Sequence, residues 1–384
     1  MPPKKKKSDK KGKGKGKNDK AKEEEDLASF DLLLTHFKKF AILITGESPP
    51  PLVYKTIKGP SQDKGADEEP GWYDAKRAIQ VVDMILGPAL TRALCRSILG
   101  HGMIHKETLQ PLSYKLLTRI TLCGCGIGDS GMTALCEVLT AGATLGVRPT
   151  VLELAACGIT HVGCEHLGLA LSGGSGGNTS LLKISLDHNK KLGNRGLQSL
   201  CIGLRGNSTL TSLSVRCCGL EGQGMATAVA LLLSSTTTGL EHLELSDNCL
   251  SPIGLSIVSR SLKKNIRLKT LGLAENSIDA EFAPECYDIF MRSMNHLRLA
   301  LQMNTTLESL DLSFNTITED GAIQLLPALS PLSEHRNQTL KWFKLTTLLT
   351  STTFMQLSRM GKSGGSSTGK KKGKKKGKKK GKKK

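Results

Sequence analysis

The sequence predicts an α/β fold: a solenoid of strand-and-helix units curved into a horseshoe, with parallel strands inside, helices outside and a helical cap in front. Three observations predict it. A pattern of apolar-x-x-apolar-x-apolar-x-x-Asn/Cys-x-apolar recurs seven times, with a partial eighth copy, between Leu117 and Leu345. Its Asn/Cys positions, Cys125, Cys157, Asn189, Cys218, Asn248, Asn276 and Asn315, lie 32, 32, 29, 30, 28 and 39 residues apart, a regularity that marks an array of equal units. Aromatic residues are 4% of a chain that is 38% hydrophobic, so small aliphatic side chains must fill the interior, as narrow repeated layers require.

Residues 1–26 are lysine, glycine and acid with almost no apolar content. Ordering a backbone costs roughly 1–2 kcal/mol per residue, and nothing there buries enough surface to offset it, so a disordered basic tail is expected. Residues 27–112 are expected to form the helical cap that a solenoid needs over its first apolar edge. Leu27, Phe30, Leu33, Leu34, Phe37, Phe40 and Ile44 recur at helical spacing, and Pro49, Pro50 and Pro51 stop that helix. Gly59 to Gly71 reads as a loop. Ala75 to Leu86 and Pro88 to Leu99 read as two further helices.

Residues 113–358 form the repeat domain. The first copy is Leu117, Ile120, Leu122, Cys125 and Ile127, and a regular later one is Leu240, Leu243, Leu245, Asn248 and Leu250. Leu340, Phe343 and Leu345 make the partial eighth. Each apolar-x-apolar unit reads as a short strand with two side chains pointing inward. The Asn or Cys stands where the strand turns away, and its buried polar group bonds backbone atoms that no sheet neighbour satisfies. Cys serves there because it is small and has a weak donor. A glycine then opens most helical runs (Gly131, Gly163, Gly196, Gly224, Gly254 and Gly321) and permits close approach. Extra sequence around Phe282 to His296 is expected to bulge from the convex side.

The array resembles the ribonuclease-inhibitor-like class of leucine-rich repeats over roughly residues 113–345, on the strength of its repeat length and its Cys/Asn ladder. The resemblance implies partner binding along a concave or rim surface. Members of the class include inhibitors, ligand sensors, actin-capping modules, axonemal regulatory subunits and activators of Ran-type GTPases. Lysine-glycine tails flanking a small repeat domain also look like those of axonemal and flagellar proteins.

Alternation along the strands gives three rows on the concave face. The first is Thr121, Glu153, Ser185, Ser214, Glu244, Gly272 and Asp311. The second is Cys123, Ala155, Asp187, Arg216, Ser246, Ala274 and Ser313. The third is Gly124, Ala156, His188, Cys217, Asp247, Glu275 and Phe314. Glu153, Asp187, Arg216, Glu244, Asp247, Glu275, Asp311 and Phe314 are the candidate protein-binding residues. The acids crowd toward the C-terminal half and suit a basic partner. Phe314 and Trp342 are the aromatic anchors in reach.

Nothing points to catalysis: no nucleophile has an oriented base, and no carboxylate pair has a privileged spacing. No cofactor and no metal are expected. Cys157, His161, Cys164 and His166 are dense in metal-binding residue types, but Cys157 belongs to the ladder and the others follow on a helix. Gly364 to Lys370 nearly matches a phosphate loop, but no strand precedes it and only lysine and glycine follow. For Ran-type activation the resemblance implies a rim arginine or acidic rim patches; Arg195 and Arg216 are the only arginines near central strand ends, and the basic tail contrasts with the acidic tail of that subfamily. No stretch of 18 apolar residues suggests a membrane span, and the first residues are too polar for a signal peptide. The eleven cysteines therefore read as reduced thiols, and the sequons at Asn178, Asn207, Asn304 and Asn337 as incidental.

The net charge of +20 is concentrated at the ends. Met1 to Lys20 carries +8 and Gly361 to Lys384 carries +13, which leaves about −1 for residues 21–360. Residues 359–384 are expected to be a disordered lysine-glycine tail. Lys370, Lys371, Lys372, Lys374, Lys375 and Lys376 are its candidate contacts to an acidic partner, tubulin tails or nucleic acid, through counterion release. The expected role is a protein-interaction scaffold in the cytoplasm, on the cytoskeleton or the axoneme of a cilium or flagellum. The alternative is a nuclear or nucleolar adaptor in ribosome assembly whose tails bind nucleic acid.

Overall fold

The computed structural model describes residues 17–58, 76–104, 109, 111–172, 177–279, 284–345 and 350–358. In these, helices α1 (Lys17–Thr45) and α2 (Pro51–Lys58) come first. Strand and helix then alternate: β1 (Ala78–Val82), α3 (Gly87–Leu99), β2 (Arg119–Cys123), α4 (Gly128–Thr144), β3 (Val151–Glu153), α5 (His161–Leu171), β4 (Lys183–Ser185) and α6 (Gly193–Leu204). The series continues with β5 (Ser212–Ser214), α7 (Gly222–Leu233), β6 (His242–Glu244), α8 (Ser251–Leu262), β7 (Thr270–Gly272), α9 (Pro284–Met303), β8 (Ser309–Asp311), α10 (Glu319–Leu329), β9 (Trp342–Lys344) and α11 (Ser351–Ser358).

The strands form one parallel sheet in which each is bonded only to its neighbours in sequence, from β1 to β9. Register is constant: Ile120, Leu152, Ile184, Leu213, Leu243, Leu271, Leu310 and Phe343 pair in succession. All of these except Phe343 are buried, as are the second inward residues Leu122, Leu154, Leu186, Val215, Leu245, Leu273 and Leu312. The helices shelter the other side of this layer with Leu135, Leu167, Leu200, Val229, Val258, Leu297 and Leu325. A buried Leu or Val contributes about 1.5–3 kcal/mol, but no unit can bury its side chains alone, so the stack is the stable object. Helices are wider than strands, and packing one per strand on the outside curves the stack into a horseshoe.

Two expectations are corrected. The helix expected over Ala75 to Leu86 is replaced, among the described residues, by β1, with Ile79 and Val81 buried at the two-residue period of a strand. It extends the sheet from Ala78↔Arg119 to Val82↔Cys123, so the first sheltering unit is itself a strand and helix. Helices α1 and α2 lie ahead of it, α1 against α3 through Phe30, Leu33, Leu34, Phe37 and Ala41. Phe30 is fixed from two sides, by the Tyr114 ring at 5.8 Å and by Lys76 Nζ at 4.3 Å from its centroid. The described part of the extra sequence, residues 284–296, is helix and not a bulge. From Pro284 it lengthens α9 to 20 residues, and Phe290, Met294 and Leu297 are buried in the helical layer. Helix α1 begins at Lys17, ten residues ahead of the first apolar position, Leu27.

Neighbouring units are also joined at their turns. Asp129 at the start of α4 reaches over the start of α5: its carboxylate accepts from Thr160 N at 2.8 Å, Gly163 N at 3.0 Å and Thr160 Oγ1 at 2.7 Å. Those amides have no partner inside their own helix. Further along, α5 and α6 touch backbone to backbone. A Cβ on Gly203 would stand 2.1 Å from Gly168 O, which is why both positions lack a side chain.

Candidate functional site

The concave face is the open side of the sheet, and constant register makes its rows real. Thr121, Glu153, Ser185, Ser214, Glu244, Gly272 and Asp311 are successive partners across β2 to β8. Gln80 precedes them on β1 and Lys344 follows on β9. The third row has a backbone signature of its own. Gly124, Ala156, His188, Cys217, Asp247, Glu275 and Phe314 all have positive φ, from +51° to +67°. Just beyond each strand from β2 to β8, one left-handed residue swings the chain off the sheet and lifts that position to the rim.

Beneath the rim lies the ladder. Cys125, Cys157, Asn189, Cys218, Asn248, Asn276 and Asn315 are all buried. Asn189 Oδ1 accepts from Cys157 N and Ile159 N, both at 3.0 Å, while its Nδ2 donates to Leu154 O at 2.9 Å and Leu186 O at 2.7 Å. Asn248 serves Cys218 N, Leu220 N, Val215 O and Leu245 O in the same way. Asn315 serves Asn276 N, Ile278 N, Leu273 O and Leu312 O. A ladder cysteine fills the same place with one atom: Cys218 Sγ gives its proton to Leu186 O at 3.3 Å and meets the backbone amides of Asn189 and His188. Burial pushes the Cys157 thiol up to about 11 and that of Cys218 up to about 12, so both remain protonated donors.

Sequence reasoning missed a second ladder at the opposite end of the strands. Asn178, Asn207, Asn265, Asn304 and Asn337 stand three residues before the first strand leucine of their repeats and are buried. Asn207 Oδ1 accepts from Thr209 N and Leu210 N, and its Nδ2 donates to Leu171 O at 2.9 Å and Asn178 O at 3.2 Å. Asn337 repeats this with Leu301 O and Asn304 O. Four of the five are the sequon asparagines. The amide nitrogen that a glycan would need is already donating inside the fold at each of them. The signal was present as Asn-x-x-Leu at repeat spacing.

The two halves of the face differ in charge. In the N-terminal half the acids are matched. Glu153 lies between Arg119 at 3.2 Å and Lys183 at 3.0 Å, with Thr121 Oγ1 donating at 2.9 Å. Burial opposes ionisation of Glu153, but hydrogen bonds from Lys183 and Thr121 and the charges of Lys183 and Arg119 hold its carboxyl below the usual range. Asp187 accepts from Ser214 Oγ at 2.6 Å and Arg216 N at 2.9 Å, and Arg216 itself is exposed. In the C-terminal half Glu244, Asp247, Glu275 and Asp311 have, among the described residues of these rows, one facing cation, Lys344, whose Nζ is 2.9 Å from Asp311. Glu244 accepts from Ser246 N and Oγ, and Asp311 from Ser313 N and Oγ, so local hydroxyls hold both carboxylates on the face. Two aromatics flank them, Phe314 at 75% and Trp342 at 65% exposed.

Other sequence candidates separate. Cys157 is in the ladder and Cys164 is buried on α5, while His166 Nδ1 bonds Thr133 Oγ1 at 3.0 Å. Among the described residues no three His, Cys, Asp or Glu side chains are grouped to hold a metal. Arg195 is paired with Glu165 at 2.9 Å. All eleven cysteines are free thiols. No described helix is long and apolar enough to cross a membrane. Residues 364–370 and lysines 370, 371, 372, 374, 375 and 376 lie outside the described residues.

A parallel sheet of one strand per repeat, an outer helix per repeat and an Asn/Cys ladder define a leucine-rich-repeat horseshoe. Comparison with known proteins agrees. Residues 116–136, 177–201, 206–227, 238–256 and 304–326 match the family model described as Leucine Rich repeat. The chain is 33% identical over 219 residues to NACHT, LRR and PYD domains-containing protein 14 of Mus musculus, covering 56% of this chain and 20% of that protein. It is likewise 33% identical over 174 residues to the ribonuclease inhibitor of Sus scrofa, covering 45% of this chain and 33% of that one. The match thus spans a third or less of either relative. The solved Rad7–Elc1 complex of yeast overlaps at 18% identity and a TM-score of 0.36, over 60% of this chain and 53% of that chain, too loosely to carry an argument.

Proposed function

We propose that the chain is a non-enzymatic protein-binding scaffold whose concave face takes a basic protein partner and whose lysine tails attach it to an acidic polymer. One observation carries the reading: an open, in-register sheet face whose C-terminal half presents four carboxylates, one lysine and two exposed aromatics. Aromatic anchors beside charge of one sign are what a partner of opposite sign needs for affinity and for steering. Similarity to a protein that is by name an inhibitor supports binding over catalysis. The test is proximity labelling with the whole chain and with E275R and E137R, the second an exposed site on α4. Loss of partners from E275R alone supports the reading. Identical partner sets from all three would end it.

The finer assignment is to the cytoskeleton, with axonemal microtubules as the acidic lattice. It rests on the thirteen lysines of Gly361 to Lys384. Co-sedimentation with microtubules should weaken as salt rises and as the acidic tails of tubulin are removed. Binding indifferent to both would exclude it. The same lysines suit nucleic acid, and nucleolar rather than flagellar localisation of the tagged chain would favour the ribosome-assembly reading.

A further inference from the structure

The charge of the concave face and the charge of the C-terminal tail are opposite, and the two belong to one chain. Across β6 to β9 the face holds Glu244, Asp247, Glu275 and Asp311 against Lys344, an excess of three negative charges. The structure also shows what kind of group settles there. Lys344 lies on the face with its ammonium 2.9 Å from Asp311, and its pKa is raised by the hydrogen bond and charge of Asp311 and by the charge of Glu244. Among the described residues no element covers the remaining carboxylates.

The tail can reach them. The last described residue is Ser358, at the end of α11, and the lysine run starts at Lys370. Twelve residues span up to ~40 Å when extended. The distance across the sheet from β9 to β6 is three strand spacings, roughly 15 Å. A ligand on so short a tether is present at an effective concentration on the order of millimolar. Each exposed ion pair is weak on its own, so docking rests on number: the run offers twelve lysines in many overlapping registers to the carboxylates of the face. The exposed rings of Trp342 and Phe314 offer the ammonium groups a further face to rest on.

We propose that residues 370–384 dock on the chain's own concave face over β6 to β9, as a pseudo-ligand that a basic partner must displace. The proposal rests on the reading of this face as the binding surface, and adds that the binding surface is self-occupied. It makes the two attachments exclusive: a tail bound to an acidic polymer is absent from the face, and a tail on the face is absent from the polymer.

Zero-length carbodiimide cross-linking of the full chain tests this, because it joins only a lysine to a carboxylate in direct contact. The Lys344–Asp311 pair is the internal positive control. At low salt, tail lysines are expected to link to Glu244, Asp247, Glu275 or Asp311 at least fivefold more than to the exposed carboxylates Glu137 on α4 and Glu285 on α9. Mixing heavy and light chains should show the links to be within one molecule. They should vanish in 0.5 M salt, where screening acts within ~4–5 Å. They should also vanish in the full-length triple variant E244Q/D247N/E275Q. Links spread evenly over convex carboxylates, links only between chains, or links indifferent to salt would each overturn the proposal. If E275R still loses its partners while tail links are absent, self-occupancy fails alone and the binding face stands.

Discussion

The side-chain oxygen of Asn189 accepts the backbone amide of Cys157 at 3.0 Å, so an asparagine in one repeat completes the hydrogen bonding of the repeat before it. The same side chain serves three more backbone groups, two of them in that preceding repeat. One side chain thus rivets two units where the strands end and no sheet bond is available.

Asn189→Ala leaves buried amides and carbonyls without partners and should cost roughly 3 kcal/mol, at about 1–3 kcal/mol per orphaned group with partial relaxation. Asn189→Cys restores a donor, as at Cys157 and Cys218, and should recover part of the loss. Urea midpoints of the two variants measure this. Equal losses would show that the ladder works by shape alone.

At Gly203 the sign of the effect is diagnostic. In an ordinary helix Gly→Ala stabilises by about 1 kcal/mol. Here the new methyl would meet Gly168 O, a backbone atom of α5 that moves only if the two helices part. Gly203→Ala should lower the melting temperature by several degrees, and a rise would contradict the close contact.

Asp129→Ala removes three hydrogen bonds from the start of α5 and should destabilise by about 1–2 kcal/mol. Asp129→Asn keeps an acceptor oxygen and should lose distinctly less. Amide hydrogen exchange at Val162 to Cys164 reads the change locally.

Burial pushes the thiols of Cys136, Cys201 and Cys218 up to about 12 and that of Cys157 up to about 11, against an ordinary value near 9. Below about pH 8 folded and unfolded chains both keep these protons, and the thiols contribute no pH dependence. Above it the unfolded chain ionises first and binds fewer protons, so stability falls as pH rises toward 11. Urea midpoints at pH 8, 9 and 10 should fall in that order, and Cys201→Ala should flatten the slope.

Most of the fold was readable because its period is written in side chains that have no other reason to recur. Leu243, Leu245 and Asn248 announce strand, strand and turn, and the concave rows follow by alternation. β1 was misread because Ile79, Val81, Val82 and Met84 are apolar at both helical and strand spacing, and only the two β-branched valines and Ile79 favour the strand. The second asparagine ladder was hidden because Asn-x-Thr invites a chemical reading before a structural one. The neutralisation of Glu153 was not legible, since it depends on Arg119 and Lys183, two residues away in register on two different strands.

Every strand here is bonded only to the one before and the one after. Damage is therefore confined: a broken unit loosens its two neighbours and leaves distant ones to hold. The weak points are the two extremities, where fraying begins. The same arrangement makes the molecule extensible, because a unit copied or deleted between Asn189 and Cys218 changes the arc by one step while each surviving seam finds the partner it had.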